Sequence, residues 1–151
     1  MNPAFTPRLP LWSLIFWASP YLMIFSLAVY SAPYSSQASY SAYQFAVAAL
    51  NQGHSIHRIF FYQDGVHNAT NLAAPPQDEF NLQQAWQHLA KDHNLDLVVC
   101  IAAALRRGIL DEGEAKRYDK PAHNVASGFS ISGLGQLVEA AVISDRLISF
   151  G

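Results

Sequence analysis

The sequence holds a single cysteine, Cys100. A lone cysteine excludes an internal disulfide framework and a multi-cysteine zinc site. It suits a reducing compartment. Charge is also scarce: Asp, Glu, Lys and Arg make up 13% of the residues, where about a quarter is usual. With 51% apolar residues, that excludes a chain kept unfolded by its own charge. A basic surplus is missing too. Nine Lys and Arg face eleven Asp and Glu, giving a formal net charge of −2 and a sequence pI near 6.3. That balance argues against a dedicated nucleic-acid binder. No internal repeat, low-complexity tract or linker divides the sequence, and 151 residues suit one domain with a sizeable core.

The N-terminus is broadly apolar. Residues 1–22 carry one basic side chain, Arg8, before an apolar stretch that continues through Tyr30. Three readings are open. A secretory signal would use Ser26-Leu27-Ala28 as its small-residue cleavage site. A membrane span needs about 20 apolar residues, and Pro10, Ser13, Ser19 and Pro20 interrupt this one. The favoured reading starts the protein at Met23 and treats residues 1–22 as an extension or a misassigned start. Its basis is that residues 24–30 (IFSLAVY) read as a buried parallel strand. A fold that needs this strand cannot discard it.

Downstream, apolar strands alternate with helical periodicity. Ser35 or Ser36 is placed to cap a helix reaching about Gln52, with Ala42, Phe45, Ala46, Ala49 and Leu50 on one face. Gly53 follows in the left-handed position that ends such a helix. Residues 56–62 read as a second strand, closed by the turn Gln63-Asp64-Gly65. Residues 68–80 are polar, contain Pro75-Pro76 and read as a long loop. Leu82, Ala85, Trp86 and Leu89 mark the core face of the next helix. A third strand covers 95–101, with Cys100 near its carboxyl end. Short helices at 102–107, stopped by Gly108, and at 111–116 come next, then a loop at 121–127. Residues 128–132 read as a fourth strand, Gly133-Leu134-Gly135 opens a helix through Ala141 or Ser144, and 146–150 close the chain as a strand. The alternation predicts an α/β fold over residues 23–151. It would be a three-layer sandwich with a mostly parallel sheet of about five strands flanked by helices.

In such sheets, reaction sites gather beyond the carboxyl ends of the strands. Cys100 lies at such an end, just before a helix start. Unpaired N–H groups there favour an anion, and cysteine pKa values can fall from about 8.5 toward roughly 3.5–7.5 in such settings. Arg106 and Arg107 add positive potential if they fold back. Spacing alone leaves two readings of Cys100: a nucleophilic or sulfur-carrying thiol, and a small buried core residue. The other candidates read as structure. Ser132-Gly133-Leu134-Gly135 lacks a full GxGxxG and suits tight strand-to-helix packing. His88 and His93 are poorly spaced for one face of a helical metal site, and with His54, His57, His67 and His123 they read as scattered surface or loop residues. Asp111, Glu112 and Glu114 read as a solvated charge cluster rather than acid–base groups, and Trp86 as core.

At Cys100 the sequence resembles the DsrE/TusD family of sulfurtransferase subunits. Residues 99–108 (VCIAAALRRG) are similar to that family's cysteine segment. The likeness continues through Phe60-Phe61-Tyr62-Gln63-Asp64-Gly65-Val66 and through Asp78-Glu79-Phe80 leading to Ala85-Trp86-Gln87. Residues 128–135 and Asp145-Arg146 extend it, in order, so that it runs from about Met23 to Phe150. Residues 1–22 depart from the pattern. The resemblance implies a DsrE-like fold and a catalytic Cys100 that carries sulfur as a persulfide. It implies assembly with TusB-like and TusC-like subunits as a dimer of heterotrimers. Sulfur would come from a TusA-like carrier and pass to a TusE-like acceptor, for 2-thiolation of wobble uridine in tRNA, in the cytoplasm. No metal, nucleotide or organic cofactor, no direct nucleic-acid contact and no membrane are implied. Two alternatives stay open: a DsrE-like subunit of dissimilatory sulfur oxidation, and a non-catalytic structural subunit.

Overall fold

The computed structural model describes residues 21–151. Five strands, β1 (Ile24–Val29), β2 (Ser55–Phe61), β3 (Leu97–Cys100), β4 (Phe129–Ser132) and β5 (Arg146–Phe150), form one sheet in the order β4-β3-β2-β1-β5. Every neighbouring pair is parallel, so the sheet is wholly rather than mostly parallel. The helices are α1 (Ala38–Asn51), α2 (Leu82–His93), α3 (Ile101–Leu105), α4 (Glu112–Arg117) and α5 (Gly135–Ile143).

The chain steps outward from β1 to β4 and then returns to place β5 on the far side of β1. Right-handed crossovers put the helices of the outward steps on one face and the helix of the return step on the other. The contacts divide in the same way. Phe45 of α1 meets Phe25 edge-on at 5.3 Å between ring centroids, and Trp86 of α2 meets Phe61 at 5.7 Å. On the opposite face Arg58 reaches α5, and Ser26 shares a 2.6 Å hydrogen bond with Ser144 just beyond it. The result is the predicted three-layer sandwich. β1 runs through its middle, with Ser26, Leu27, Ala28 and Val29 fully inaccessible. A cut after Ala28 would remove all of β1 but Val29. Most of the sequence read as an extension, signal or span, residues 1–20, lies outside the described residues. Among the described residues no helix is long and apolar enough to cross a membrane.

Element boundaries follow the sequence reading closely, with two corrections. α1 starts one residue after Gln37, and Ser36 contributes only by accepting from the Ala38 N–H at 3.2 Å. Gly53 takes the expected left-handed φ of +84°. The larger correction falls at residues 63–69. A simple turn and the start of a loop were expected there, but the chain winds a 3-10 helix, Gln63–Ala69, with Gly65, Val66, Asn68 and Ala69 buried. Its cause is tertiary. Gly65 lies against the end of β1, where a Cβ would overlap the Val29 carbonyl oxygen. Its N–H donates to the carbonyls of Tyr30 and Tyr62, both at 2.9 Å. Asn68 Nδ2 donates to the Gly65 carbonyl at 2.8 Å and to Ser39 Oγ at 3.0 Å, joining the 3-10 helix to the start of α1.

The opposite face is held by a buried cation. Arg58 on β2 donates from Nε to Asp96 at 2.6 Å, and from Nη1 to Glu139 at 2.8 Å and the Gln136 carbonyl at 3.0 Å. The hydrogen bond from Arg58 holds the Glu139 carboxyl below its ordinary value of 4.5. A carboxyl depressed in the folded state adds stability above its unfolded pKa and loses it as pH falls through the folded one. The urea midpoint should therefore fall below about pH 4.5 more steeply in the native sequence than in Glu139→Gln. Parallel acid slopes in the two proteins would refute that assignment. Gly65→Ala should cost about 2–4 kcal/mol in urea unfolding, because backbone rather than a flexible side chain must move.

Candidate functional site

Cys100 is the last residue of β3, and α3 begins at the next residue. It therefore occupies the cap position of α3 in an extended conformation, φ −63° and ψ 117°. Its register partner on β4 is Ser132. From β3 the chain turns toward the 3-10 helix, whereas from β4 it leads to α5 on the opposite face. Adjacent strands whose outgoing connections part in this way mark the crevice where open α/β sheets hold their sites. Cys100 and Ser132 stand at that switch point.

A short helix and two polar side chains, Arg107 and Asn124, position the cysteine segment. α3 is a run of good helix formers, IAAAL, that stops where Gly108 takes φ +70°. Arg107 Nε donates to Asp64 Oδ1 at 2.8 Å, and Arg107 Nη1 to the Ala103 carbonyl at 3.3 Å. This ties the end of α3 to the 3-10 helix. Asn124 Oδ1 accepts from the Leu110 N–H at 2.9 Å, while its Nδ2 donates to the Gly108 carbonyl at 3.1 Å and to Thr70 Oγ1 at 3.3 Å. Of the two arginines expected to add positive potential, Arg107 folds back but is paired with Asp64. Arg106 remains exposed.

The thiol is enclosed. Cys100 is 1% exposed and packs in the core with Val99, Ala103, Ala104 and Ile109. The sulfur-carrying reading calls for a thiol within reach of partners, and the single chain encloses it. The reason is that β3 is buried along its whole length and α3 follows with no spacer residue. Cys100 thus lies at a strand's carboxyl end, as expected, and is buried there.

The remaining candidates resolve differently. A Cβ on Gly133 or Gly135 would meet nothing within 4 Å, so tight packing does not explain that pair of glycines. His88, His93 and His123 are exposed, while His54 accepts from the Met23 N–H at 3.3 Å and His57 is half-buried. Among the described residues no three His, Cys, Asp or Glu side chains gather as a metal site. The acidic cluster is not simply solvated. Asp111 Oδ1 caps α4 by accepting from the Glu114 N–H at 2.8 Å, and Glu114 is 15% exposed beside Arg117 at 3.5 Å. Trp86 is fully buried, as predicted. Sequence reasoning missed Asp64, Asn68 and Asn124 as organisers of the site. The Gln63-Asp64-Gly65 turn signal was visible, but Arg107 lies 43 residues further on.

Fold and site thus define an all-parallel α/β protein with a lone cysteine at the sheet's switch point. Comparison places it further. Residues 23–150 match the model of the DsrE/DsrF-like family. The DsrE protein of Allochromatium vinosum is 58% identical over 85% of this chain and 99% of that protein. The sulfurtransferase TusD of Klebsiella pneumoniae is 48% identical, covering 85% and 100%, and the TusD homologue of Pseudomonas aeruginosa 51%, covering 85% and 98%. The ychN protein from E. coli superposes with a TM-score of 0.66 at 21% identity, over 85% of this chain and 99% of that one, which shows a shared fold. The chain belongs to the DsrE/DsrF-like family, and these curated relatives carry sulfurtransferase names.

Burial of Cys100 has a direct consequence. The native chain should react with a bulky aromatic disulfide at least about tenfold more slowly than the urea-unfolded chain. Asp64→Asn should raise the native rate while changing global stability by less than about 1 kcal/mol, since the Asp64–Arg107 pair is exposed. Equal native and unfolded rates would contradict the enclosure.

Proposed function

We propose that this protein is a sulfur-relay subunit that carries sulfane sulfur as a persulfide on Cys100. The observation that supports it most is the chain's only cysteine at the junction of β3 and α3, inside the segment matched by the sulfurtransferase family. The transfer is an exchange between thiols and persulfides. The Cys100 thiolate attacks the outer sulfur of a donor persulfide. A sulfur–sulfur bond forms at Cys100 Sγ while the donor's own breaks, and the donor leaves as a thiolate. The acceptor thiolate then takes the same outer sulfur and releases the Cys100 thiolate. The two steps need no external oxidant or reductant and no metal. Because the thiol is enclosed, exchange requires α3 to lift. A helix of this length has little stability of its own, which suits it to that motion.

On this reading a TusA-like protein supplies the sulfur and a TusE-like protein receives it, and its destination is the 2-thio group of tRNA wobble uridine. The relay works in the cytoplasm, with TusB-like and TusC-like subunits in a dimer of heterotrimers. An exposed apolar surface supports assembly. α5 buries only Ala140, and its Val138 and Val142 are 64% and 79% exposed. A second reading keeps the chemistry and changes the destination to dissimilatory sulfur oxidation. It is favoured by the higher identity to the DsrE protein than to the TusD proteins, 58% against 48% and 51%.

The relay predicts that a persulfide donor adds one reductant-sensitive sulfur atom to the intact protein, read by mass spectrometry. The gain should vanish in Cys100→Ser. A Cys100→Ser protein that still gains and passes sulfur refutes the role, leaving a structural subunit. Loss of tRNA 2-thiouridine on deletion of the gene would select the first destination, and normal 2-thiouridine the second.

A further inference from the structure

A groove opens at the far end of α3. Leu105, Arg106, Gly108, Leu110, Tyr118 and Lys120 line about 370 Å³, and the lining is largely apolar. Leu105 is five residues beyond Cys100, so the groove begins roughly 7.5 Å of helix rise from the thiol. Its walls are held in place. Gly108 and Asp119 adopt φ of +70° and +51°, and Asn124 binds both the Gly108 carbonyl and the Leu110 N–H.

The charge around this groove differs from that of the molecule. The chain carries a net −2, yet Arg106, Arg107, Lys116, Arg117 and Lys120 lie within one short segment and are five of its nine Lys and Arg. Several carboxylates nearby are engaged: Asp64 with Arg107, Asp111 with the start of α4, and Glu114 with Arg117. Glu112 and Asp119 are exposed outside the lining. Arg106 and Lys120 are exposed and in no ion pair among the described residues. Arg117 lies over the Tyr118 ring at 5.5 Å from its centroid. An apolar floor rimmed by unpaired cations complements a segment that joins an apolar side chain to carboxylates.

We propose that this groove docks the protein donor that loads Cys100, through an acidic segment with an apolar anchor. This rests on Cys100 being the sulfur carrier. The apolar anchor packs on Leu105, Leu110 and Tyr118, and the carboxylates meet Arg106 and Lys120. The donor, rather than the acceptor, is the partner that meets the unloaded chain, whose thiol is enclosed. Docking on the end of α3 places the donor on the helix that must lift.

The test uses the full chain, a persulfide-loaded TusA-like carrier from the same organism, and inorganic polysulfide as a donor with no docking surface. The double variant Arg106→Glu/Lys120→Glu should lower the ratio of carrier-driven to polysulfide-driven loading about tenfold, with a smaller loss at high salt. A ratio unchanged from the native sequence overturns the proposal. So does slowing of discharge to a TusE-like acceptor alone, or loss of tRNA binding with carrier loading intact. Calorimetric binding of the carrier to Cys100→Ser gives a readout free of sulfur chemistry. There the same two reversals should weaken binding about tenfold, and equal affinities overturn the groove. If Cys100→Ser gains sulfur from polysulfide as the native chain does, the relay reading fails, and the binding readout still judges the groove.

Discussion

The close approach of Gly65 to the end of β1 organises the carboxyl edge of the sheet. With no side chain, Gly65 lies against the Val29 carbonyl and donates to Tyr30 and Tyr62. The backbone after β2 is thereby forced into a short 3-10 helix instead of leaving the sheet directly. That helix carries Asn68 inward, where its amide binds Ser39 at the start of α1, and Asp64 outward to Arg107. Arg107 in turn fixes the end of α3, and α3 encloses Cys100. The environment of the thiol is thus set by a glycine on a different strand connection.

Enclosure and exchange chemistry are compatible because the enclosing element is slight. α3 spans Ile101–Leu105 and is bounded by Cys100 on one side and a left-handed glycine on the other. Its outer tie is an exposed ion pair, worth little in water. The core behind it is dense: Val99, Phe61 and Trp86 are fully buried, and Phe61, Trp86 and Phe129 pack ring against ring. Local opening is cheapest where few apolar contacts and exposed hydrogen bonds hold an element. In the proposed relay, a thiol shielded until a partner docks would also be protected from indiscriminate oxidation.

The two faces of the sheet are finished differently. On one, α1 and α2 present aromatic and small apolar side chains, and the layer is closed. On the other, α5 is anchored through a polar device, Arg58 with Asp96 and Glu139, and leaves Val138 and Val142 in water. A buried arginine whose two carboxylates reach solvent gives orientation more than stability. It fixes how α5 crosses the sheet, while the apolar side of α5 suits burial against another chain.

Much of this was legible in the residues. The periodicities of 24–30, 56–62 and 146–150, the amphipathic face with Trp86 and Leu89, and the alternation of strands with helices depend on neighbours within one turn or one pleat. They determined five strands, a parallel sheet and the place of Cys100 at a strand's end. Tertiary structure alone decided the 3-10 helix at Gln63–Ala69, the partner of Arg107, the enclosure of the thiol and the groove between α3 and Lys120. Each of those joins groups far apart in the chain: Asn68 meets Ser39 across 29 residues, and Arg107 meets Asp64 across 43. Short-range pattern specifies which residues turn inward along an element. Which distant groups then meet is settled only when the right-handed crossovers lay those elements side by side.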